Sequence, residues 1–583
     1  MHRHRYFGVL VPNSPWRAQV VAQAGRKPGA GSKVPRPKTV LTDFGATRAG
    51  HPARYLWLQL RARSYGVFAL QCSRCSGWLP LVGFITEPTL VCNDVKSYAA
   101  GVAKLDSLEA WELALVMVRQ CRAAMRVALY SHPMTIPSAQ AAGHMNLDDV
   151  KAAAHSGNRP ERVAWFRDLG LGLFIHWSVD SQLGMVISHS LVGASVDYVQ
   201  RFFTELPQTF YPARFDPNEW ARLAQVYGFR YVVFTTKHHS GFCMFGTATT
   251  QFGVMHTPFK RDITREVIAA FRRQGIAIGL YFSPDDFSVL HRQGIEIARS
   301  RAEVDPLNNP ELMAVNLAQL RELLTNYGPI DLLFFDGQAE GLKQLAWQLQ
   351  PDVVVTRGDM ATPEQHIPDA PLPGPWEACV TMGTQWQYKP TPNEIYKSGS
   401  QLIQMLIETR AKGGNLLLNV GPKPDGQLAQ EQVDRLMELG LWTFVNGEAI
   451  YGSRPCPVIR DGDVWFTASP SEDALYAIVT KIDWAAAEDA SGVKDANFFG
   501  GHVNTYGRLI NFTLTQVRAN DATRIEVVGH AGHTLEYRDA VDPAPRWHQD
   551  AHGLHISIMS AHRLYNMWDW TNPLVVKISR PAG

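Results

Sequence analysis

From about residue 155 to residue 452 the chain alternates short apolar runs with amphipathic stretches, and this alternation restricts the fold more than any other property of the sequence. The runs are 171–177, 231–239, 277–284, 331–337, 352–357 and 416–420. Each is rich in β-branched or aromatic residues and bounded by Gly, Pro or Asp, as strands buried on both faces are. Helix signals stand between them. Asp216-Pro217-Asn218-Glu219 supplies an N-cap, a proline at the first helical position and an acid at the third. Asn309-Pro310-Glu311 opens another helix, and Asp262 precedes one whose Ile263, Val267 and Phe271 share a face. Gly228, Gly275 and Gly328 end these helices. Repeated β-then-α units make a parallel sheet, and their length suits a (β/α)8-like barrel over 153–452. In such a barrel, polar residues at the C-terminal ends of the strands are the catalytic candidates.

Past residue 452 the pattern changes to short alternating runs separated by turn residues, at 464–467, 475–481, 507–515, 524–529, 554–559 and 574–579. They predict an all-β sandwich over 453–583, so the fold class is α/β with a trailing β-sandwich. Residues 1–152 fit neither pattern. Residues 1–150 hold 18 Lys and Arg against 8 Asp and Glu, whereas the remainder holds 38 against 46. The stretch 24–55 is rich in Gly, Pro, Arg and Lys and is expected to be disordered. We read 1–152 as a basic extension without chemistry of its own, with Met125, Met134 and Met145 as alternative starts. Cys72-x-x-Cys75 has the spacing of half a zinc site, but Cys92 and Cys121 do not form a second pair. Seven cysteines, unevenly placed, make no disulfide framework.

A net charge of +2, with the basic excess confined to the first 150 residues, argues against a nucleic-acid partner. No run reaches the roughly 18 apolar residues of a membrane span, and the start shows no export signal. Sixteen Trp and eighteen Tyr are many for a scaffold and suit a ligand with flat faces.

The predicted strands end on a consistent set of groups: His176-Trp177, then Lys237-His238-His239, then Tyr281-Phe282-Ser283, then Asp336-Gly337, then Arg357-Gly358-Asp359 with Glu364 close behind. Each alone reads equally well as a core or turn residue; their recurrence on successive strands is what suggests a site. Neighbouring histidines on a strand point to opposite faces, and no acidic or cysteine cluster completes a ligand set, so no metal and no cofactor are expected. Two carboxylates in a pocket of imidazoles and aromatic rings suit glycoside hydrolysis, one acting at the anomeric carbon and the other protonating the leaving oxygen.

These segments also carry a resemblance. Trp165-Phe-Arg-Asp-Leu-Gly-Leu-Gly-Leu-Phe-Ile-His-Trp177, Val233-Phe-Thr-Thr-Lys-His-His-Ser-Gly-Phe242, Asp331-Leu-Leu-Phe-Phe-Asp-Gly337, Trp376-Glu-Ala-Cys-Val-Thr-Met382, Trp386-Gln-Tyr388 and Asn415-Leu-Leu-Leu-Asn-Val-Gly-Pro422 resemble, in order, the signature segments of glycoside hydrolase family 29, the α-L-fucosidases. The resemblance implies a retaining mechanism without a metal, a trailing β-sandwich, and a fucosylated oligosaccharide or glycoconjugate as substrate. It implies Asp336 as nucleophile and Glu364, in Thr362-Pro363-Glu364, as acid/base, with Glu377 as the rival. It assigns the sugar hydroxyls to His176, His238, His239 and Tyr281, places Arg357 near the acid/base, and puts Trp386 where an aromatic closes the site. Several positions depart from the family pattern: Ser178 and Ser240 follow the His-Trp and His-His pairs, Phe334 stands where Trp is frequent, and Ser188-His189 and Val196-Asp197-Tyr198 occupy the region of a Glu-Trp-Tyr segment. A fucose-binding protein without turnover and a retaining glycosidase for a related sugar are the alternatives. The resemblance suggests a periplasmic or secreted protein, although the compartment is otherwise unknown. A homo-oligomer is left open.

Overall fold

The protein is described from a computed structural model, which defines residues 152–153, 155–391, 394–482, 488–489, 508–535, 541–559 and 572–582, together with a two-stranded antiparallel ribbon of Leu70–Gln71 and Trp78–Leu79. The chain divides into two units, Met1–Met134 and Thr135–Gly583. The expectations for the 24–55 stretch and for the Cys72–Cys75 pair fall outside the described residues.

Seven strands form one parallel sheet: β1 Leu171–Ile175, β2 Tyr231–Lys237, β3 Ala277–Phe282, β4 Leu332–Phe335, β5 Val354–Val355, β6 Glu377–Thr381 and β7 Asn415–Val420. Their order is β5-β4-β3-β2-β1-β7-β6, so successive strands lie side by side as the sheet curls. The chain around β5 closes the curl. Phe335 donates its N–H to Arg357 O at 3.0 Å, which extends the pairing with β4. A few residues on, Glu377 and Cys379 of β6 donate to Ala361 O and Pro363 O, and Gln365 donates to Cys379 O. Residues 354–365 therefore act as one bent stave, bonded to β4 by the first half and to β6 by the second. The barrel expected from the sequence is thus present with six longer strands and a closing stave that begins as β5 and continues irregularly.

Strand residues alternate between two cores. Phe174, Val233, Tyr281, Leu332, Phe334, Cys379 and Leu417 fill the inside of the barrel. Leu173, Ile175, Val232, Phe234, Leu333, Phe335 and Leu418 face outward against the helices. Helix boundaries follow the capping chemistry read from the sequence. Asp216 accepts from the N–H groups of Asn218 and Glu219 at the head of α3 (Pro217–Val226). Asp262 accepts from Arg265 N–H before α4 (Ile263–Arg273), and Asn309 accepts from Leu312 N–H before α6 (Pro310–Asn326). The remaining helices are α1 Pro160–Leu169, α2 Val196–Thr204, α5 Phe287–Arg292, α7 Leu342–Leu349, α8 Gly399–Ala411 and α9 Gln430–Asn446.

Two antiparallel sheets follow, with β8 Arg454–Asp461, β9 Val464–Ser469, β10 Ala474–Val479, β11 Glu488–Asp489, β12 Arg508–Leu514, β13 Arg524–Val527, β14 Arg546–Gln549, β15 Leu554–Met559 and β16 Leu574–Ser579. Their orders are β8-β9-β10-β16-β13 and β11-β12-β15-β14. Phe466, Ala477 and Val576 of the first sheet meet Ile510, Leu514 and Ile556 of the second in one apolar layer, which makes a sandwich. The opposite face of the first sheet, with Trp465, Tyr476 and Ile478, joins the core around the barrel helices. Trp442 of α9 donates to Pro573 O at 2.8 Å across this junction.

The two-residue strand β5 is short because a side chain does part of the pairing. The Asn158 amide donates to Val355 O and accepts from Val355 N–H, both at 2.8 Å, and also donates to Asp359 at 2.8 Å. Ala153 N–H bonds Asp359 O at 2.9 Å, and the Ser156 hydroxyl bonds the Asp359 carboxylate. Removing Asn158 would leave buried backbone groups of Val355 unpaired, so Asn158→Ala is expected to cost about 2–4 kcal/mol in urea unfolding. A chain begun at Asn146 retains this clasp and should unfold at the same urea concentration as the full-length protein; an earlier transition would show that residues 1–145 support the barrel.

Candidate active site

At the C-terminal ends of the strands the structure encloses a cavity of about 310 Å³. His176, His238, His239, Tyr281, Asp336, Arg357, Glu364 and Trp386 all line it, with Phe174 and Phe334. Eight of the nine site residues expected from the sequence are thereby brought together. The volume is at the small end of ligand pockets and suits a single sugar ring.

Asp336 follows β4, and Gly337 after it has φ +146°, where a Cβ would lie 2.9 Å from Asp285 Oδ1. Tyr281 donates its hydroxyl to Asp336 Oδ2 at 2.7 Å, and His239 Nε2 lies 3.4 Å from the same oxygen. Arg357 Nε lies 3.4 Å from Oδ1. Burial alone would raise the Asp336 pKa, but Arg357, His239, Arg299 and the Tyr281 hydroxyl outweigh it and hold the carboxyl well below the usual range. Asp336 is therefore ionised throughout the neutral range. The guanidinium of Arg357 also donates from Nη1 to Glu364 Oε2 at 2.9 Å, so one cation contacts both carboxylates. Their side chains keep 19% and 23% exposure, enough to be reached from the cavity.

The imidazoles are held from behind. Asn419 of β7 donates from Nδ2 to Trp386 O at 2.6 Å, which turns its Oδ1 toward His176 Nδ1 at 2.7 Å. A carbonyl oxygen can only accept, so the bond to Trp386 fixes the amide; Oδ1 then requires the proton on His176 Nδ1 and leaves Nε2 as an acceptor. Burial lowers the His176 pKa to about 4, against the raising effects of Asn419 and Asp336, so the ring is neutral at pH 7. His238 lies parallel to Tyr281 at 5.3 Å, and Tyr281 lies on Phe334 at 5.6 Å. Trp386 leans on His176, with ring centroids 4.9 Å apart.

Glu377, the rival acid/base candidate and the ninth site residue, is placed elsewhere and does not line the cavity. It opens β6 and pairs with Asn415, four residues before the Asn419 that serves the cavity. That is roughly 13 Å down the barrel at about 3.3 Å per residue. Its side chain is fully buried and accepts from the Tyr231 hydroxyl at 2.7 Å. Burial raises its pKa to about 7, against the Tyr231 and Thr356 hydrogen bonds. The folded protein then holds this proton up to about pH 7, whereas an unfolded chain loses it near its ordinary value of 4.5. The resulting stabilisation is complete below that lower value and is lost as pH rises toward 7, about 3 kcal/mol for this group at 1.36 per pKa unit. Glu377→Gln should flatten the wild-type fall in unfolding free energy over that window and leave activity within about twofold; an unchanged pH profile of stability would remove this role.

Residues without a strand-end signal also reach the cavity. Arg299, on the irregular stretch after α5, donates to Asp285 Oδ2 at 3.1 Å, and burial lifts the Asp285 pKa to about 7 against that ion pair. His189 lies edge-on to His239 at 5.7 Å. Only the proximity of Asp285 to the end of β3 could have signalled either arginine partner or pocket. Among the described residues, His238, His239 and Asp336 form one trio whose ligating atoms lie within 4.8 Å of one another. A metal ion there would compete with Arg357 and Arg299 for the Asp336 charge.

Comparison with known proteins bears on the family and the fold. Residues 138–448 match the family model described as Alpha-L-fucosidase. The plasma alpha-L-fucosidase of Rattus norvegicus is 29% identical over 457 residues, covering 70% of this chain and 90% of its own. The plasma alpha-L-fucosidase of Homo sapiens is 29% identical over 373 residues, covering 54% and 76%. Among solved structures, alpha-L-fucosidase isoenzyme 1 from Paenibacillus thiaminolyticus superposes with a TM-score of 0.54 at 26% identity, covering 72% of this chain and 98% of its own. A Bacteroides thetaiotaomicron alpha-L-fucosidase trapped as a covalent intermediate shares the fold, with a TM-score of 0.56 at 21% identity over 74% and 99%.

Proposed function

Since the chain belongs to the alpha-L-fucosidase family, we propose that this glycoside hydrolase releases terminal α-L-fucosyl residues from oligosaccharides or glycoconjugates by two successive displacements, with Asp336 as nucleophile and Glu364 as acid and base. The observation that carries the reading is the single guanidinium of Arg357, which touches both carboxylates at the edge of one sugar-sized cavity.

In the first step, Asp336 attacks the anomeric carbon and forms a glycosyl ester as the bond to the leaving oxygen breaks; Glu364 gives that oxygen its proton. Tyr281 and His239 engage Oδ2, so Oδ1, 3.4 Å from Arg357 Nε, is the oxygen suited to attack. In the second step, Glu364 takes a proton from water, the water oxygen bonds the anomeric carbon, and Asp336 leaves as a carboxylate. A pair working this way holds its carboxyls about 5–5.5 Å apart, too close to admit a water between Asp336 and the sugar. Neutral His176 and the rings of Phe174, Tyr281, Phe334 and Trp386 offer hydrogen-bonding edges and apolar faces to the sugar.

Incubation with an aryl α-L-fucoside, followed by NMR of the first-formed product, tests the reading. Release of α-L-fucose before mutarotation supports it. First-formed β-L-fucose would overturn the two-step mechanism. Turnover of a different aryl glycoside in its place would overturn the substrate assignment.

A further inference from the structure

Ser188 is fully buried at the turn after β1 and has φ +62°, a conformation that disfavours a residue with a side chain. Its N–H donates to the carboxylate of Asp180 at 2.6 Å, and Asp180 is itself buried. Its hydroxyl oxygen accepts the N–H of Ser240 at 2.8 Å and lies 2.8 Å from His238 Nδ1. A hydroxyl carries one hydrogen, and the Ser240 amide cannot accept it. In this closed position the hydrogen is satisfied by His238 Nδ1, which therefore accepts. The proton of neutral His238 then resides on Nε2, on the edge that faces the cavity.

His176 has the opposite polarity, because Asn419 holds its proton on Nδ1. The two rings stand 5.9 Å apart on the same wall. One presents an acceptor and the other a donor. A hydroxyl between them can donate to His176 while accepting from His238; an ether or fluorine can do only the second, a protonated amine only the first, and a methyl group neither. Neither Asp180 nor Ser188 lines the cavity, although Ile187 and His189 on either side of Ser188 do, and Asp180 also bonds Gln387 beside Trp386.

We propose that Asp180 and Ser188 are positioning residues that fix His238 as a hydrogen-bond donor opposite the acceptor His176, so that this wall selects a sugar hydroxyl able to donate and accept at once. The inference rests on the fucosidase reading above and deepens it, since it names what discriminates the sugar. Residue 240 contributes through its backbone N–H, which anchors the Ser188 oxygen.

The test measures binding of L-fucose and its mono-deoxy and mono-O-methyl analogues to the full chain by calorimetry, beside kcat and KM for an aryl α-L-fucoside. In the wild type, one deoxy position and the same O-methyl position should each weaken binding by at least about tenfold, the range of one lost hydrogen bond to a buried partner. Ser188→Ala should weaken L-fucose binding by about tenfold, raise KM more than it lowers kcat, and shrink the deoxy penalty to under about threefold. Asp180→Asn, whose amide oxygen can still accept from Ser188 N–H, should stay near wild type, whereas Asp180→Ala should follow Ser188→Ala. If Asp180→Ala does not fold, Ser188→Ala alone decides. An unchanged deoxy penalty in Ser188→Ala overturns the inference while leaving the fucosidase reading intact. A wild type that neither binds L-fucose nor cleaves the fucoside overturns both.

Discussion

Asp336→Ala is expected to lower kcat for an aryl α-L-fucoside by at least about a thousandfold, the scale on which an enzyme loses a nucleophile. Little of this loss should appear as lost binding. Tyr281, His239 and Arg357 converge on Asp336, and removing the carboxylate frees their donors rather than the imidazoles His176 and His238. The vacated space is bordered by Arg357 and Arg299, both positively charged, and should admit a small anion. Added azide should therefore restore part of the rate and yield β-L-fucosyl azide, because it attacks from the side that Asp336 occupied. Rates within about tenfold of wild type in the variant, or an α-azide product, would remove Asp336 from the role of nucleophile.

Glu364→Gln carries the second large effect. For a glycan leaving group, which needs a proton to depart, loss of the acid should slow cleavage by about 10²–10⁴-fold. For an aryl fucoside with an acidic phenol, glycosylation needs little protonation, and loss of the general base should instead make breakdown of the ester limiting. Azide, which needs no base, should then accelerate the variant and give α-L-fucosyl azide, with the configuration opposite to that from Asp336→Ala. Glu377→Gln should show none of this. Its carboxyl is engaged with Tyr231 at the other end of the barrel. If Glu377→Gln showed the leaving-group dependence and Glu364→Gln hurt both substrate classes equally, the two assignments would have to be exchanged.

The regular part of the barrel was readable because its strands are buried on both faces, which forces near-continuous apolar runs such as Tyr231–Lys237 and Asn415–Val420. The caps at Asp216, Asp262 and Asn309 were readable because they act within three residues of themselves. Features that depend on distant partners were not. The run at 352–357 suggests a full strand, yet only Val354–Val355 is regular, because the Asn158 side chain supplies bonds that a neighbouring strand would have made. Strand β14 was missed because all four residues are exposed and show no alternation. Strand β8 was missed for a similar reason, having no fully buried position. Within the site, residues at strand ends announced themselves. Arg299 did not, since its place in the cavity comes from an ion pair with Asp285 and not from a local pattern. The sequence left Glu364 and Glu377 as rivals because nothing local shows that the Glu377 side chain enters the core at the beginning of a strand, not at its end.

The bent stave of residues 354–365 has a consequence for how this enzyme fails. It is the seam of the barrel, held by a handful of backbone bonds to β4 on one side and β6 on the other. Arg357 sits on its first half and Glu364 on its second. The proposed proton donor and the cation that contacts both carboxylates are thus stitched into the last join of the ring. Local opening there requires less than global unfolding, and it would separate Glu364 from Asp336 while the other staves stay in place. Catalytic competence is therefore a gauge of closure: a molecule whose seam has parted keeps its other staves but, on the roles proposed above, lacks its acid, and mild heat or urea should silence such an enzyme before it unravels.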